Sequence, residues 1–266
     1  MEIIIPVAIL AGIGLIASIV LVIASKFMAV KVDQKQIDLR EALPGANCGA
    51  CGFAGCDEYA AKLAAGEAQP NLCVPGGAGV AQKLGEILGV DVGDVESLCA
   101  VVQCNGCIGA TDTVMDYQGP KSCSACKTFF QGSGACKYGC MGYGDCVAAC
   151  QYNAIQVLDG VAKVDRSLCV GCGMCAKACP NGLIAMVPIS KTVAVCCSNK
   201  EKGAIARKVC KNSCIGCKKC ERNCPSNAIH VVDNLARIDY SLCTNCNTCV
   251  EQCPTGAIHT LGCLNQ

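Results

Sequence analysis

The residues of this chain that could do chemistry are mostly cysteines, which number 29 among 266 residues. One cysteine pattern occurs twice between Cys136 and Pro254. The second copy has two runs of C-x2-C-x2-C-x3-C-P, formed by Cys214, Cys217, Cys220, Cys224, Cys243, Cys246, Cys249 and Cys253. The first copy lies 74 positions earlier and retains Cys150, Cys169, Cys172, Cys175 and Cys179. Thiolates at this spacing can each bind one iron corner of a cubane cluster.

Bacterial ferredoxins use this spacing to bind two [4Fe–4S] clusters, and the fourth cysteine of each run binds the neighbouring cluster. In the second copy, one cluster is therefore predicted on Cys214, Cys217, Cys220 and Cys253. The other cluster of that copy is predicted on Cys224, Cys243, Cys246 and Cys249. The same rule predicts a cluster in the first copy on Cys150, Cys169, Cys172 and Cys175.

The remaining cluster of the first copy departs from the pattern, because Tyr143 occupies the position of Cys217. Cys136 is predicted to supply the missing thiolate, and nearby glycines would let the longer loop close tightly. The expected ligand set is Cys136, Cys140, Cys146 and Cys179. Cys210, the repeat partner of Cys136, is then left over.

A separate four-cysteine set precedes the repeat, with the spacing C-x2-C-x4-C-x16-C. Its glycines would allow the backbone to approach a cluster and donate N–H groups to it. A fifth [4Fe–4S] cluster is predicted on Cys48, Cys51, Cys56 and Cys73. A structural zinc protein is the alternative, since C-x2-C pairs also bind zinc, but zinc ribbons do not require a third cysteine two residues later.

Other cysteines show no ferredoxin spacing. The two C-x2-C pairs at 104–107 and 123–126 could form a zinc ribbon or another cluster, or remain buried thiols. Cys123 also lies 74 positions before Cys197, which suggests that these two cysteines have a paired structural role. No role is assigned to Cys99, Cys104, Cys107, Cys123, Cys126, Cys196, Cys197, Cys210 and Cys263.

Composition argues against several other functions. The net charge is +1 and only 16% of residues are charged, without the basic stripe that nucleic-acid binding requires. Neither a general base, a phosphate loop nor a flavin fingerprint is found, so we expect no flavin, no nucleotide and no substrate chemistry on this chain. The function that remains is electron transfer through metal clusters.

Residues 3–24 contain no charged side chain and are long enough to cross a membrane as a helix. Lys26 and Lys31 follow, so the amino terminus is predicted outside and the cysteines in the reducing cytoplasm.

The expected fold class is α+β, with helices at 57–65 and 80–88 and a strand at 193–197. The predicted segments are a transmembrane anchor (1–26), a four-cysteine domain (27–90), a connector (91–132), ferredoxin module 1 (133–190), a linker (191–209) and ferredoxin module 2 (210–266).

This order of segments resembles the B subunit of the Rnf complex along the whole chain. The most specific points are PGANCGACGFAGC at 44–56 and CKYGCMGYGDC at 136–146. The resemblance implies one component of a membrane-bound, Na⁺- or H⁺-translocating ferredoxin:NAD⁺ oxidoreductase. It would relay electrons from soluble ferredoxin to partner subunits of the A, C, D, E and G types. The alternative is a membrane-tethered polyferredoxin that serves another redox enzyme without ion pumping.

Overall fold

The computed structural model describes residues 12, 14–23, 33–93 and 96–262. The predicted transmembrane segment, residues 3–24, lies only partly within these ranges, where residues 12 and 14–23 are helical and exposed. In the described ranges, helices of the length and apolarity that membrane crossing requires are not found. Cys263 lies outside the described residues.

Short helices and strands alternate along the rest of the chain. The helices are α1 Gln34–Ala42, α2 Cys56–Ala64, α3 Gly77–Leu88, α4 Cys123–Phe130, α5 Asp145–Ala148, α6 Met174–Ala178, α7 Gly203–Val209, α8 Lys219–Arg222 and α9 Thr248–Glu251. The strands are β1 Leu98–Val102, β2 Ile155–Leu158, β3 Val161–Val164, β4 Ile184–Pro188, β5 Val193–Val195, β6 Ile229–Val232, β7 Leu235–Ile238 and β8 Ile258–Thr260. They form antiparallel pairs, β1 with β4, β2 with β3, β5 with β8 and β6 with β7.

Helices α1 to α3 enclose the core of the four-cysteine domain. Leu39, Tyr59, Leu63 and Leu84 are almost fully buried there together with Cys73. The Tyr59 hydroxyl donates to the carbonyl of residue 69 at 2.6 Å, so its one polar group is paired inside the core. The predicted helices at 57–65 and 80–88 are confirmed, and the second begins earlier, at residue 77.

The internal repeat in the sequence is also a repeat in the structure. Hairpin β2–β3 lies 74 positions before hairpin β6–β7, with the same pairing register. After each hairpin, the N–H of an aspartate bonds to a carbonyl at 2.7 Å, Asp165 to Ala154 and Asp239 to Ala228. The two cysteine copies therefore have the same local fold.

Each module also contains a strand that precedes its first cysteine run. Strand β1, to which the sequence analysis assigned no structure, pairs Val102 with Ile184, and strand β5 pairs Val195 with Ile258. Superposing the modules by these strands makes Cys104, two residues after Val102, the counterpart of Cys197. The pairing of Cys123 with Cys197 from the offset of 74 was therefore wrong, because the chain between the strand and the cysteine run is longer in the first module.

Replacing Leu39 by Ala tests the apolar core of the four-cysteine domain. Leu39 is 0% exposed, so Leu39→Ala should destabilise the domain by about 2–5 kcal/mol through lost burial and the cavity left behind. Ile37 lies on the same helix and is 37% exposed, and Ile37→Ala should have little effect. The measurement is the temperature at which cluster absorbance is lost on heating under argon. Equal midpoints for the two variants would contradict this description of the core.

Candidate iron–sulfur centres

The structure brings the cysteines of the four-cysteine domain together as predicted; we name this set centre A (Cys48, Cys51, Cys56 and Cys73). Cys73 is buried, which raises the pKa of its thiol, and repulsion from the thiolates of the other three members raises the pKa further. The loop is held by Asn47, whose side-chain oxygen accepts the N–H of Cys56 at 2.8 Å. Four like charges gathered in this way favour a bound cation.

The second module brings together the two sets predicted from the ferredoxin rule. Burial and the neighbouring thiolates raise the pKa of Cys220 to about 11, and these neighbours belong to centre D (Cys214, Cys217, Cys220 and Cys253). The same causes raise the pKa of Cys249 to about 11 in centre E (Cys224, Cys243, Cys246 and Cys249). In both centres the fourth cysteine comes from the other run, as the spacing predicts.

Backbone N–H groups approach the fourth cysteine of three of the four runs in the same way. Each bond joins the sulfur to the N–H four residues later, at 3.4 Å for Cys179, 3.3 Å for Cys224 and 3.2 Å for Cys253. Such N–H···S bonds stabilise a thiolate and tune the potential of a cluster that it ligates. The chain is thus arranged to support charged sulfurs at these positions.

Centre C comprises the set predicted for the first module (Cys150, Cys169, Cys172 and Cys175), and these thiols line one cavity. Strand β1 supplies two contacts that the sequence did not indicate. The N–H of Ala100 donates to Cys169 Sγ at 3.4 Å. The Cys99 thiol, which donates to the carbonyl of Ala100 at 3.4 Å, also lies beside this sulfur, and the interaction of the two sulfurs lowers the pKa of Cys169 to about 6 and raises that of Cys99.

The last set of the first module differs from the prediction. One cavity is lined by centre B, which consists of Cys123, Cys140, Cys146 and Cys179. Burial raises the pKa of Cys146 to about 12, and repulsion from the other three thiolates contributes. Cys136, predicted as the fourth member, instead lines a separate cavity. Cys123 was left without a role in the sequence analysis.

The loop around Tyr143 keeps its shape although it has no thiol at its middle position. Gly142 and Gly144 have left-handed φ angles of +74° and +83°, matching +72° and +73° at Gly171 and Gly173 around Cys172. The loop therefore keeps the ferredoxin shape, with Tyr143 at the position of the middle ligand. Cys136, which precedes this loop, is not needed to extend it.

Asp145 positions Cys123 at the start of α4. Its carboxylate accepts the N–H groups of Cys123 at 2.8 Å and Ser124 at 2.9 Å, and the Ser122 hydroxyl at 3.0 Å. Burial opposes ionisation of Asp145, but these bonds outweigh it and lower its pKa. The second module has Lys219 at the matching position. The first module thus has an aspartate where the second has a lysine, two residues after the tyrosine that replaces a cysteine. This is the sequence signal that could have identified Cys123.

Neighbouring centres lie close together. Burial raises the pKa of Cys172 in centre C, and repulsion from the thiolate of Cys48 in centre A contributes. Cys146 of centre B is similarly influenced by Cys175 of centre C. The Lys177 ammonium donates to the carbonyl of Gly49 at 3.4 Å, which links α6 to the loop of centre A.

The thiols line cavities and are not gathered around a single point. Across the described ranges, the arrangement of His, Cys, Asp and Glu side chains that would hold a single metal ion is not found. A cubane distributes its four irons over separate corners, so its ligands lie around a volume. Four thiols around the wall of each of these two cavities fit a group of that kind.

Family models match three parts of the chain. Residues 43–75 match a family described as "Putative Fe-S cluster", which spans centre A. Residues 162–185 match a 4Fe-4S binding domain and residues 213–257 match a 4Fe-4S dicluster domain. The fold and the thiol sets thus define an iron–sulfur protein with ferredoxin-type modules.

Several proteins are similar over most of the chain. The B subunit of a Na⁺-translocating ferredoxin:NAD⁺ oxidoreductase complex from Acetobacterium woodii is 44% identical, covering 90% of this chain and 72% of the relative. The B subunit of an ion-translocating oxidoreductase complex from Methanosarcina acetivorans is 41% identical, covering 88% and 89%. The B subunit of a proton-translocating ferredoxin:NAD⁺ oxidoreductase complex from Clostridium ljungdahlii is 38% identical, covering 86% and 82%. The chain belongs to this family of B subunits, as its resemblance to the Rnf complex implied.

Centre B can be tested by removing Cys123. Cys123→Ala should lower the iron content by about four atoms per chain, since one cubane loses a ligand. Cys126 lies one turn later on the same helix and does not line the cavity, so Cys126→Ala should retain all the iron. The measurement is iron and acid-labile sulfide in anaerobically purified protein. Unchanged iron in Cys123→Ala would contradict the assignment.

The Cys99 contact predicts a shift in one potential. A bond to a ligand sulfur stabilises the more negative, reduced cluster, so Cys99→Ala should lower the potential of centre C. A net hydrogen bond of about 0.5–1.5 kcal/mol corresponds to roughly 20–60 mV for one electron. Redox titration followed by electron paramagnetic resonance measures this, with the other centres as internal controls. An equal shift of all centres would indicate a general disturbance instead.

Proposed function

We propose that this chain is the electron-transfer subunit of a membrane-bound, ion-translocating ferredoxin:NAD⁺ oxidoreductase. The observation that carries the proposal is the arrangement of four-thiol sets in contact with one another. Membership of the B-subunit family supports it, because relatives are named for that reaction. The chain contributes to the enzyme as an electron carrier and leaves NAD⁺ chemistry to other subunits.

The proposed ligands are the five sets described above, centres A to E. When bound, each [4Fe–4S] cubane supplies one-electron redox chemistry. The protein positions the thiolates, donates N–H groups to their sulfurs and surrounds them with apolar side chains. The apolar side chains around centre B include Val102, Val157 and Ile184, and those around centre C include Ala100 and Ile155. These contacts would exclude water and adjust the potential.

The contacts between centres support a route through the first module. Cys48 lies beside Cys172, which connects centre A to centre C, and Cys175 lies beside Cys146, which connects centre C to centre B. Tyr152 lies between centres A and C, where burial and the thiolates of both raise its pKa. In the second module, each cysteine run supplies its fourth cysteine to the other centre, so centres D and E are adjacent.

The proposed donor is soluble reduced ferredoxin, and the proposed acceptors are the A, C, D, E and G type subunits. We place the anchor in residues 3–24, with the amino terminus outside and the centres on the cytoplasmic side. Of two relatives of comparable identity, one is named for translocation of Na⁺ and the other for translocation of protons. This fits a protein that carries electrons and leaves the choice of ion to its partners.

Rapid mixing tests the proposed role. Full-length protein, purified without oxygen, should lose its visible cluster absorbance when mixed with reduced ferredoxin. Reduction by NADH should be at least tenfold slower, since the chain contains no nucleotide-binding motif. Oxidised ferredoxin provides the control. Faster reduction by NADH than by ferredoxin, or protein that contains zinc and almost no iron, would refute the proposal.

A further inference from the structure

A third cavity lies between the two ferredoxin modules. Its walls include Cys140 of centre B and the half-buried Cys196. Four further cysteines line it that belong to none of the five centres, namely Cys104, Cys136, Cys197 and Cys210. We name these four the junction set. The cavity is similar in size to those of centres B and C.

The junction set consists of two pairs related by the internal repeat. Cys104 and Cys197 are counterparts because each follows the strand that precedes its module, β1 or β5. Cys136 and Cys210 are counterparts because they lie 74 positions apart. Each module therefore supplies two equivalent thiols to one cavity. Cys136 lies near the other three, since its charge influences the pKa of each.

The local backbone at the junction set has the geometry seen at the proposed cluster ligands. In each case the sulfur accepts the N–H two residues later, from Gly106 (at 3.4 Å), Tyr138, Asn199 and Asn212. Cys169 and Cys172 of centre C accept N–H groups from Gly171 and Met174 in the same way. Such bonds favour a charged sulfur, and they act against burial, which raises the pKa of all four thiols.

Ser213 provides an independent indication of a bound group. Its side chain lines the cavity and is 1% exposed. Its hydroxyl oxygen is fully buried and has no hydrogen-bond partner among the described residues. A buried hydroxyl without a partner costs about 1–3 kcal/mol, so such groups generally have one in the functional state. A sulfide or thiolate in the cavity would accept its hydrogen bond.

We propose that the junction set binds a sixth [4Fe–4S] cluster, with Cys104, Cys136, Cys197 and Cys210 as its ligands. Cys107 is close to Cys210 but does not line the cavity. Cys196 is not included among the ligands, because its thiol makes a weak contact to the backbone carbonyl of Ala194, at 4.0 Å.

The position of the junction set gives it a role in the relay, and this role rests on the proposed function. Cys104 Sγ accepts the N–H of Cys140, a member of centre B, at 3.3 Å. Cys197 Sγ accepts the N–H of Cys214, a member of centre D, also at 3.3 Å. The junction set thus connects the two modules. One electron arrives from one neighbour and one leaves to the other, without a proton transfer or a change in bonding.

Iron content tests the sixth site without measuring electron transfer. Six cubanes correspond to about 24 iron atoms per chain, against about 20 for five. Cys210→Ala should lose about four irons with matching sulfide, because Cys210 belongs to no other centre. Cys197→Ala should show the same loss, and combining Cys210→Ala with Cys123→Ala should remove about eight. Cys107→Ala is the matched control and should retain all the iron.

Several outcomes would overturn the proposal. These are about 20 irons in the unaltered protein, unchanged iron in Cys210→Ala, loss of iron in Cys107→Ala, or one zinc per chain that Cys210→Ala removes. Cluster absorbance retained by the other centres in Cys210→Ala would show that the variant has folded. If ferredoxin failed to reduce the protein while the iron counts held, the proposed function would fail and the sixth site would stand.

Discussion

Repulsion among thiolates is the constraint on which this structure depends. Each centre holds four cysteines close together, and burial together with mutual repulsion raises the pKa of members such as Cys73, Cys146 and Cys220. Without a cation, such sets would favour neutral thiols and a looser chain. Bound iron reverses this balance, so cluster binding and folding of these modules are coupled. The short strands and one-turn helices fit this dependence, since they bury little apolar surface themselves.

Backbone geometry provides the second constraint. Left-handed residues on either side of a middle cysteine turn the loop so that N–H groups point at sulfur, and glycine or asparagine is found at most of these positions. The loop around Tyr143 shows that this shape persists when the ligand itself is replaced. The first module thus keeps the loop without its middle thiol and brings Cys123 of α4 to the same cavity, with Asp145 holding the start of that helix in place.

Sequence spacing predicted centres A, C, D and E because their ligands lie in short runs whose geometry is local. It did not indicate that Cys123 lines the cavity of centre B, because hydrogen bonds to Asp145 bring this residue there and spacing does not encode them. The offset of 74 also paired Cys123 with Cys197 incorrectly, because the segment between the strand and the cysteine run is longer in the first module. Strands β1 and β5 instead make Cys104 the counterpart of Cys197. Strand β1 and its Cys99 contact were not anticipated, because a five-residue strand within a cysteine-rich connector has no distinctive pattern.

The equal contribution of both modules to the junction cavity has an evolutionary consequence. Neither copy supplies more than two of the four thiols, so a protein with one module could complete such a wall only by pairing with an identical chain. Fusion of two tandem copies would then have captured a homodimer interface inside a single polypeptide. A change in either copy alters a wall that both copies share, which constrains how far the two halves of the duplicated chain can diverge at these four cysteines.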